Sequence, residues 1–401
     1  MTRDPAILAV NCGSASVRCS WYLADDSLHR LGTATATGLA TRFARFQATD
    51  GTCELIRDEP LLSPHVEDAI DVVLTHIETW DPTSQIAIVA HRTATPPFGD
   101  DSPTRLRSSS LAQLEADARE WGRQAFGAIA AIYETRQRWR NAQQFLCSDT
   151  NFFRSLPPTA STLGLPQGLD AAGYRRWGMF GLACESILSA LIERAGVTAS
   201  TERLVIAHLG HGSALAAITN GQPVDTTGGS SSLGGPIGAT GCGDIDPGVL
   251  TRLWEQQGLD AHGAWDLFGL RSGLLGRSGW SGDMRELLAR RDNADTAAAL
   301  ALYCHSVRKH LAGLAASTGG VDRLVFTGGV GANSDFIRTE VCSGLAYMGI
   351  ILDPDANRRS AFDITASGAA VRVNVMDPLE EWAMARQTWR AARDARAAHG
   401  V

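Results

Sequence analysis

Two stretches of the 401-residue chain share a form suited to handling phosphate, a strand running straight into small residues. Arg323 to Thr327 reads as a buried strand and passes at once into Gly328-Gly329-Val330-Gly331. Lacking Cβ atoms, those glycines let backbone N–H groups come close to a phosphate or an adenosine. Ile7 to Asn11 likewise ends on Asn11-Cys12-Gly13-Ser14-Ala15-Ser16, and Val17 to Leu23 returns as a second strand. Strand, small polar turn, strand is a hairpin; in a Rossmann or Walker turn a helix follows instead. Taken singly, glycines after a strand are ordinary turn chemistry, so each stretch alone allows either reading. Thr226 to Asp246 is the oddest segment, with seven glycines, too many for the interior of a helix or strand.

The elements that must position these residues follow from periodicity. Ile86 to Ala90 is a short apolar run closed by His91-Arg92, and Leu204 to His208 reads as another buried strand. Ser110 to Arg138 reads as one long helix, with Leu111, Leu114, Ala118, Trp121, Ala125, Ile129 and Ile132 near one face. Phe180 to Ala195, the alanine-rich Thr296 to Ser317, and Glu380 to Arg396 are also helical. A domain boundary is expected at Phe145 to Thr150, before Pro157-Pro158 and several glycines.

Length bounds the architecture at two or three domains, taking about 150 residues each. With 36 Lys and Arg against 43 Asp and Glu, the net charge is −7, which argues against nucleic acid or an anionic membrane as partner. No apolar run reaches 18 residues, and the first one is too short for a signal-peptide core. Eight scattered cysteines form no C-x-x-C pair, which fits a reduced, cytoplasmic chain and disfavours structural zinc.

Read together and in order, the pieces are specific. The chain resembles the acetate kinase (acetokinase) family, which includes propionate and butyrate kinases. The resemblance rests on Val10-Asn11-Cys12-Gly13-Ser14-Ala15-Ser16-Val17-Arg18, and on His208-Leu209-Gly210-His211-Gly212-Ser213, continuing through Asp225-Thr226 to Gly243-Asp244-Ile245-Asp246-Pro247. It continues in Ser272-Gly273-Leu274-Leu275-Gly276-Arg277-Ser278-Gly279, with Asp283 and Arg285 behind, and in Val325-Phe326-Thr327-Gly328-Gly329-Val330-Gly331-Ala332-Asn333-Ser334. The spacing holds from about residue 7 to about 388.

The resemblance implies an α/β fold of two related actin-like ATPase domains, the architecture shared with sugar kinases, Hsp70 and ribonuclease H. The nucleotide is expected in the interdomain cleft. Residues 1–148 with the terminal helix 380–401 form the first domain, and 149–379 the second, through which family members form homodimers. The implied reaction is ATP plus a small carboxylic acid giving an acyl phosphate and ADP, with Mg²⁺ as cofactor. Implied nucleotide ligands are His208, Gly210, Gly212, Gly328, Gly329, Gly331, Asn333, Asp283 and Arg285. Asn11, Ser14, Ser16 and Arg18 face the transferred phosphate, with Arg18 standing where the family usually has Lys. Arg92, Asn11, Asp149 and His211 carry catalysis, and Asp149, Glu380 and Asn11 organise Mg²⁺, although a Glu-Glu pair opening a helix is often only favourable first-turn charge.

The match breaks at the transfer site. Gly241 stands for the family's second arginine and Phe180 for its phosphate-stabilising histidine. Glu115 stands for another pocket histidine, His211 for the asparagine of the His-Leu-Gly-Asn-Gly loop, and Thr95-Pro96-Pro97 for a His-Gly-Gly run. An arginine opposite a developing phosphoryl charge matters by several kcal/mol, about 10²-fold or more in rate. Three readings follow: a carboxylate kinase, with His211 partly standing in as donor; a kinase turned to a hydroxyl acceptor; and a non-catalytic ATP-binding regulatory homologue.

Overall fold

The computed structural model describes residues 4–13, 16–39, 43–63, 65–80, 84–94, 103–121, 123–170, 172–196 and 201–399. Ser14 and the segment Thr95-Pro96-Pro97 lie outside them. The chain divides into two compact units, Met1–Asn151 with Leu379–Val401, and Phe152–Pro378.

The first unit is built on β1 (Asp4–Cys12), β2 (Ser16–Leu23), β3 (Arg30–Thr37), β4 (Arg45–Asp50), β5 (Leu55–Pro60), α1 (Val66–Trp80), β6 (Ser84–Thr93), β7 (Thr104–Arg105), α2 (Ser108–Trp121), α3 (Arg123–Arg138) and β8 (Gln143–Ser148). Its sheet runs β5-β4-β3-β2-β1-β6-β8-β7. The β1–β2 hairpin is antiparallel, as the small polar turn requires, whereas β1, β6 and β8 run parallel. Ala6 to Val10 is buried along its length, the unbroken apolar run expected of a strand covered on both faces. One cover is α3, which packs on β1 and β6, while α1 packs on β2 and β3 and buries Ile70, Val73, Leu74 and Ile77 at helical spacing. The terminal helix Glu380–His399 also packs on β1 and β6, burying Ala383, Met384, Ala385 and Thr388.

One expectation is corrected here. The single helix expected over Ser110 to Arg138 is two helices, α2 and α3. Leu111 and Leu114 meet Ile132 and Leu146 in one small apolar cluster. On one straight helix, residues 111 and 132 would stand roughly 30 Å apart. The apolar stripe was therefore right in phase, but it closes on itself.

The second unit contains α4 (Pro158–Ser161), α5 (Gly181–Ala195), β9 (Arg203–Leu209), β10 (Ser213–Thr219), β11 (Gln222–Thr226), α6 (Pro247–Gln257), α7 (Ala261–Trp265), α8 (Gly273–Ser278), α9 (Met284–Ala289), α10 (Ala294–Ser317), β12 (Arg323–Thr327), α11 (Gly328–Asn333), α12 (Asp335–Cys342), α13 (Pro354–Arg358) and β13 (Arg372–Val375). Its sheet order is β11-β10-β9-β12-β13, with β9–β10 and β10–β11 antiparallel and β9, β12 and β13 parallel. The same pattern appears in the first sheet as β3-β2-β1-β6-β8. Two units repeating one strand order are the related α/β domains that the sequence implied. The alanine-rich helix forms as α10, capped by the Asn293 side chain, which accepts from Thr296 N–H. Beyond Thr226, which ends β11, the seven-glycine segment forms neither helix nor strand until the Asp246 side chain caps α6. No described helix is long and apolar enough to cross a membrane.

Candidate active site

In the first unit the chemistry gathers at the C-terminal ends of the three parallel strands. Asn11 is the penultimate residue of β1, Arg92 sits near the end of β6, and Asp149 follows β8, where its N–H donates to the Thr93 carbonyl at 2.8 Å. Arg92 donates to Asp149 Oδ2 through Nη2 at 2.6 Å and Nε at 3.1 Å, and to Asn11 Oδ1 through Nη1 at 3.2 Å. The Asn11 amide nitrogen donates to Glu380 Oε2 at 2.7 Å and Glu381 Oε1 at 2.9 Å. Those two glutamates open the terminal helix, which is how a residue 369 positions away reaches β1. One amide thus joins both carboxylates to the guanidinium.

Burial sets the electrostatics. Asn11, Asp149, Glu380 and Glu381 are all buried. Burial opposes the charge on Arg92, but Asp149, then Glu380 and Glu381, more than restore it and hold the guanidinium more firmly protonated than usual. For Glu381, burial pushes its carboxyl up; Arg18 and the Asn11 hydrogen bond pull it down, and Glu380 adds to the rise. Arg18 is exposed on β2, paired across the hairpin with Asn11, and Ser16 begins the same strand. Three carboxylates against Arg92 and Arg18 leave a surplus of hard oxygen donors, which suits a magnesium ion. Among the described residues no three acidic, histidine or cysteine side chains form a ready-made cage. Such an ion here would therefore keep water and substrate oxygens as partners, as Mg²⁺ ordinarily does. Glu115 lies on α2, exposed, accepting from the Tyr133 hydroxyl at 2.6 Å.

In the second unit the glycine loops meet. The β9–β10 turn closes with Gly210 N–H donating to the Gly212 carbonyl at 2.9 Å. Gly328, at φ +79°, lies so near that turn that a Cβ would sit 2.6 Å from the Leu209 carbonyl oxygen. Gly329 next to it is exposed with open space around it, and Gly331 is buried against β9. Asn333 is exposed and donates to the Gly329 carbonyl at 3.0 Å, closing α11. Ala239 N–H donates to the His211 carbonyl and Gly238 N–H to the Gly241 carbonyl, so the loop bearing Gly241 is stitched to the one bearing His211. Gly241 has nothing within 4 Å of where a Cβ would stand.

His211 is exposed at the turn, and the protein crowded around it pushes its imidazole below the ordinary value against the pull of Asp283. Asp283 caps α9 and pairs with Arg285 at 2.6 Å, which holds the carboxyl below the usual range. His208, at the end of β9, is stacked by the Phe180 ring, with centroids 4.0 Å apart and planes 11° apart. Sequence reasoning missed two features. Glu381 shares Asn11 equally with Glu380, and the doubled glutamate was the available signal. Nothing in the sequence announced the Phe180–His208 stack.

The model of the Acetokinase family matches residues 6–386. The acetate kinase of Rhodopseudomonas palustris strain TIE-1 is 34% identical over 393 residues, covering 96% of this chain and 98% of that protein. The propionate kinase of Enterobacter sp. strain 638 is 32% identical over 369 residues, covering 89% and 88%. Among solved structures, the crystal structure of Porphyromonas gingivalis acetate kinase superimposes with a TM-score of 0.80 at 28% identity, covering 97% of this chain and all of that one.

Proposed function

The chain belongs to the acetokinase family, and from that premise we propose that it transfers a phosphoryl group from ATP to a small carboxylic acid. The acid's carboxylate oxygen attacks the γ-phosphorus as the bond to the β–γ bridging oxygen breaks, giving an acyl phosphate and ADP. No proton need move, so catalysis reduces to positioning and charge. The observation carrying this reading is the Arg92 guanidinium, held on two sides by Asp149 and Asn11. A pre-oriented, permanently charged fork suits the spreading charge of a transferring phosphoryl group.

Asp149, Glu380 and Asn11 are the residues that would hold Mg²⁺, with Glu381 available beside them. That ion, when bound, neutralises charge on the β- and γ-phosphates. His208, Gly210, Gly212, Gly328, Gly329, Gly331 and Asn333 would serve the nucleotide, and Asp283 with Arg285 its adenosine side. Ser16 and Arg18 would face the transferred phosphate, and His211 would supply a donor where Gly241 and Phe180 supply none. The relatives named above are kinases of acetate and propionate, which gives a hydroxyl acceptor no support. The retained carboxylate set speaks against a purely non-catalytic role.

The chain would pair as a homodimer through its second unit. Ile245, beside α6, and Val249, Leu250 and Trp254 on it stand exposed there, and a second copy would cover them.

Thermal unfolding with ATP, with and without Mg²⁺, tests the nucleotide and metal assignments. A ligand of the folded state raises apparent stability by mass action. Mg²⁺ should add to the protection by ATP, and Asp149→Ala should remove the added part. Protection indifferent to Mg²⁺ in the wild type would contradict the assignment.

A further inference from the structure

Phe180 is held where a bulky side chain is disfavoured. Its backbone is left-handed, φ 59° and ψ 34°, at the position preceding α5. A β-carbon-bearing aromatic is strained in that conformation. The side chain does not cap the helix, although the Phe180 carbonyl accepts the first helical bond, from Cys184 N–H at 3.0 Å. Glycine or asparagine would meet the backbone's demand with less strain. The ring must therefore contribute something that the backbone position does not.

Its surroundings show what. The ring lies flat on the His208 imidazole, and a Cβ on Gly212 would already come within 3.4 Å of Phe180 Cζ. The chain leading to it is fixed as well. Trp177 N–H donates to the Gly229 carbonyl at 3.0 Å, and a Cβ on Gly228 would collide with Met179 N at 2.7 Å. Gly178, at φ +76°, passes directly over the Phe153 ring. The glycine-rich segment thus grips residues 177–179 and sets the ring on its partner.

We propose that Phe180 is a positioning residue, which fixes the plane of the His208 imidazole by stacking and so aims its ring nitrogens at the phosphoryl group. The terminal torsion of an imidazole is a broad one, and a flat neighbour narrows it. The chain thereby replaces a second donor with a restraint on the first. This inference rests on the kinase reading, because it gives His208 a phosphoryl group to meet.

The test compares Phe180→Gly, Phe180→Leu and Phe180→Tyr in the full-length protein. Phe180→Gly relieves the backbone strain but gives up the ring's packing, so thermal unfolding first establishes that it and Phe180→Leu are folded at the assay temperature. With histidine-selective labelling, and His208→Asn to assign the signal, His208 ring protons should show upfield ring-current displacement in wild type and Phe180→Tyr. That displacement should vanish in Phe180→Gly and Phe180→Leu. On acetate or propionate, kcat should fall about 10- to 100-fold in both of those variants and recover in Phe180→Tyr. Unchanged His208 signals in Phe180→Gly, or a wild-type kcat in that variant, would overturn the proposal. Absence of turnover in wild type itself would count against the kinase reading, and Mg-ATP titration of the His208 signals then decides. Smaller ATP-induced shifts in Phe180→Gly than in wild type support the stack's role, and equal shifts reject it.

Discussion

Arg92 Nη2 lies 2.6 Å from Asp149 Oδ2, joining residues 57 positions apart at the ends of adjacent parallel strands. Asp149 is 1% exposed and the Arg92 side chain 11%, so neither charge has water to fall back on. Removing one partner of such a pair strands the other, at a cost of about 3–5 kcal/mol. Asp149→Ala should lower unfolding stability by that order in urea titrations, and abolish turnover as well. A variant as stable as wild type would mean that the pair is not closed in solution.

Gly241 offers the clearest gain-of-function prediction. Nothing stands within 4 Å of a Cβ there, so a side chain can leave the backbone at this position without a clash at its first carbon. Gly241→Arg should fold with an unchanged Tm and raise kcat/KM on the preferred acid by roughly tenfold or more. A folded variant with no gain would show that the pocket has been rebuilt around another donor, His211 being the one at hand.

The glycine loops predict a change that couples stability to nucleotide binding. At Gly328 a side chain meets both the left-handed backbone and the Leu209 carbonyl 2.6 Å away. Gly328→Ala should therefore cost about 2 kcal/mol or more. It should also push the β9–β10 turn aside and raise the Kd for ATP, read by calorimetry. Gly329→Ala, at an open position, should leave stability nearly unchanged.

Acid sensitivity should trace partly to His91. Burial pushes its imidazole from the ordinary 6.5 down to about 4, with a hydrogen bond to Gln144 resisting the fall. Unfolded chain takes up the proton near 6.5, whereas folded chain refuses it until about 4. Stability from this group is thus fully present above 6.5 and drains away as pH falls through that window, by about 3 kcal/mol in all. His91→Gln should show a shallower loss than wild type between those limits, in urea midpoints taken across pH.

Individual buried strands and glycine turns were legible because they are local. Ala6 to Val10 and Arg323 to Thr327 announce buried strands by composition, and Gly328 to Gly331 announce a close approach. Residues of the first-unit site were legible one by one through the motif resemblance, but not their bonds. Asn11 meets Glu380 across 369 positions, and only tertiary packing of the terminal helix on β1 creates that contact. The α2–α3 break was hidden for a similar reason, since a helical stripe has the same phase whether it runs straight or folds back. Phe180 was read as a lost donor, because a stacking partner leaves no mark on spacing.

The most direct test of the account is trapping of the product. Purified protein with Mg-ATP and acetate, propionate or butyrate is run with hydroxylamine, which converts an acyl phosphate to a hydroxamate, alongside sugar and hydroxy-acid acceptors and the Asp149→Ala control. The account predicts hydroxamate in step with ADP release on at least one short carboxylate, lost in the control. ADP release only with a hydroxyl acceptor, or none from protein that still binds ATP, would contradict it.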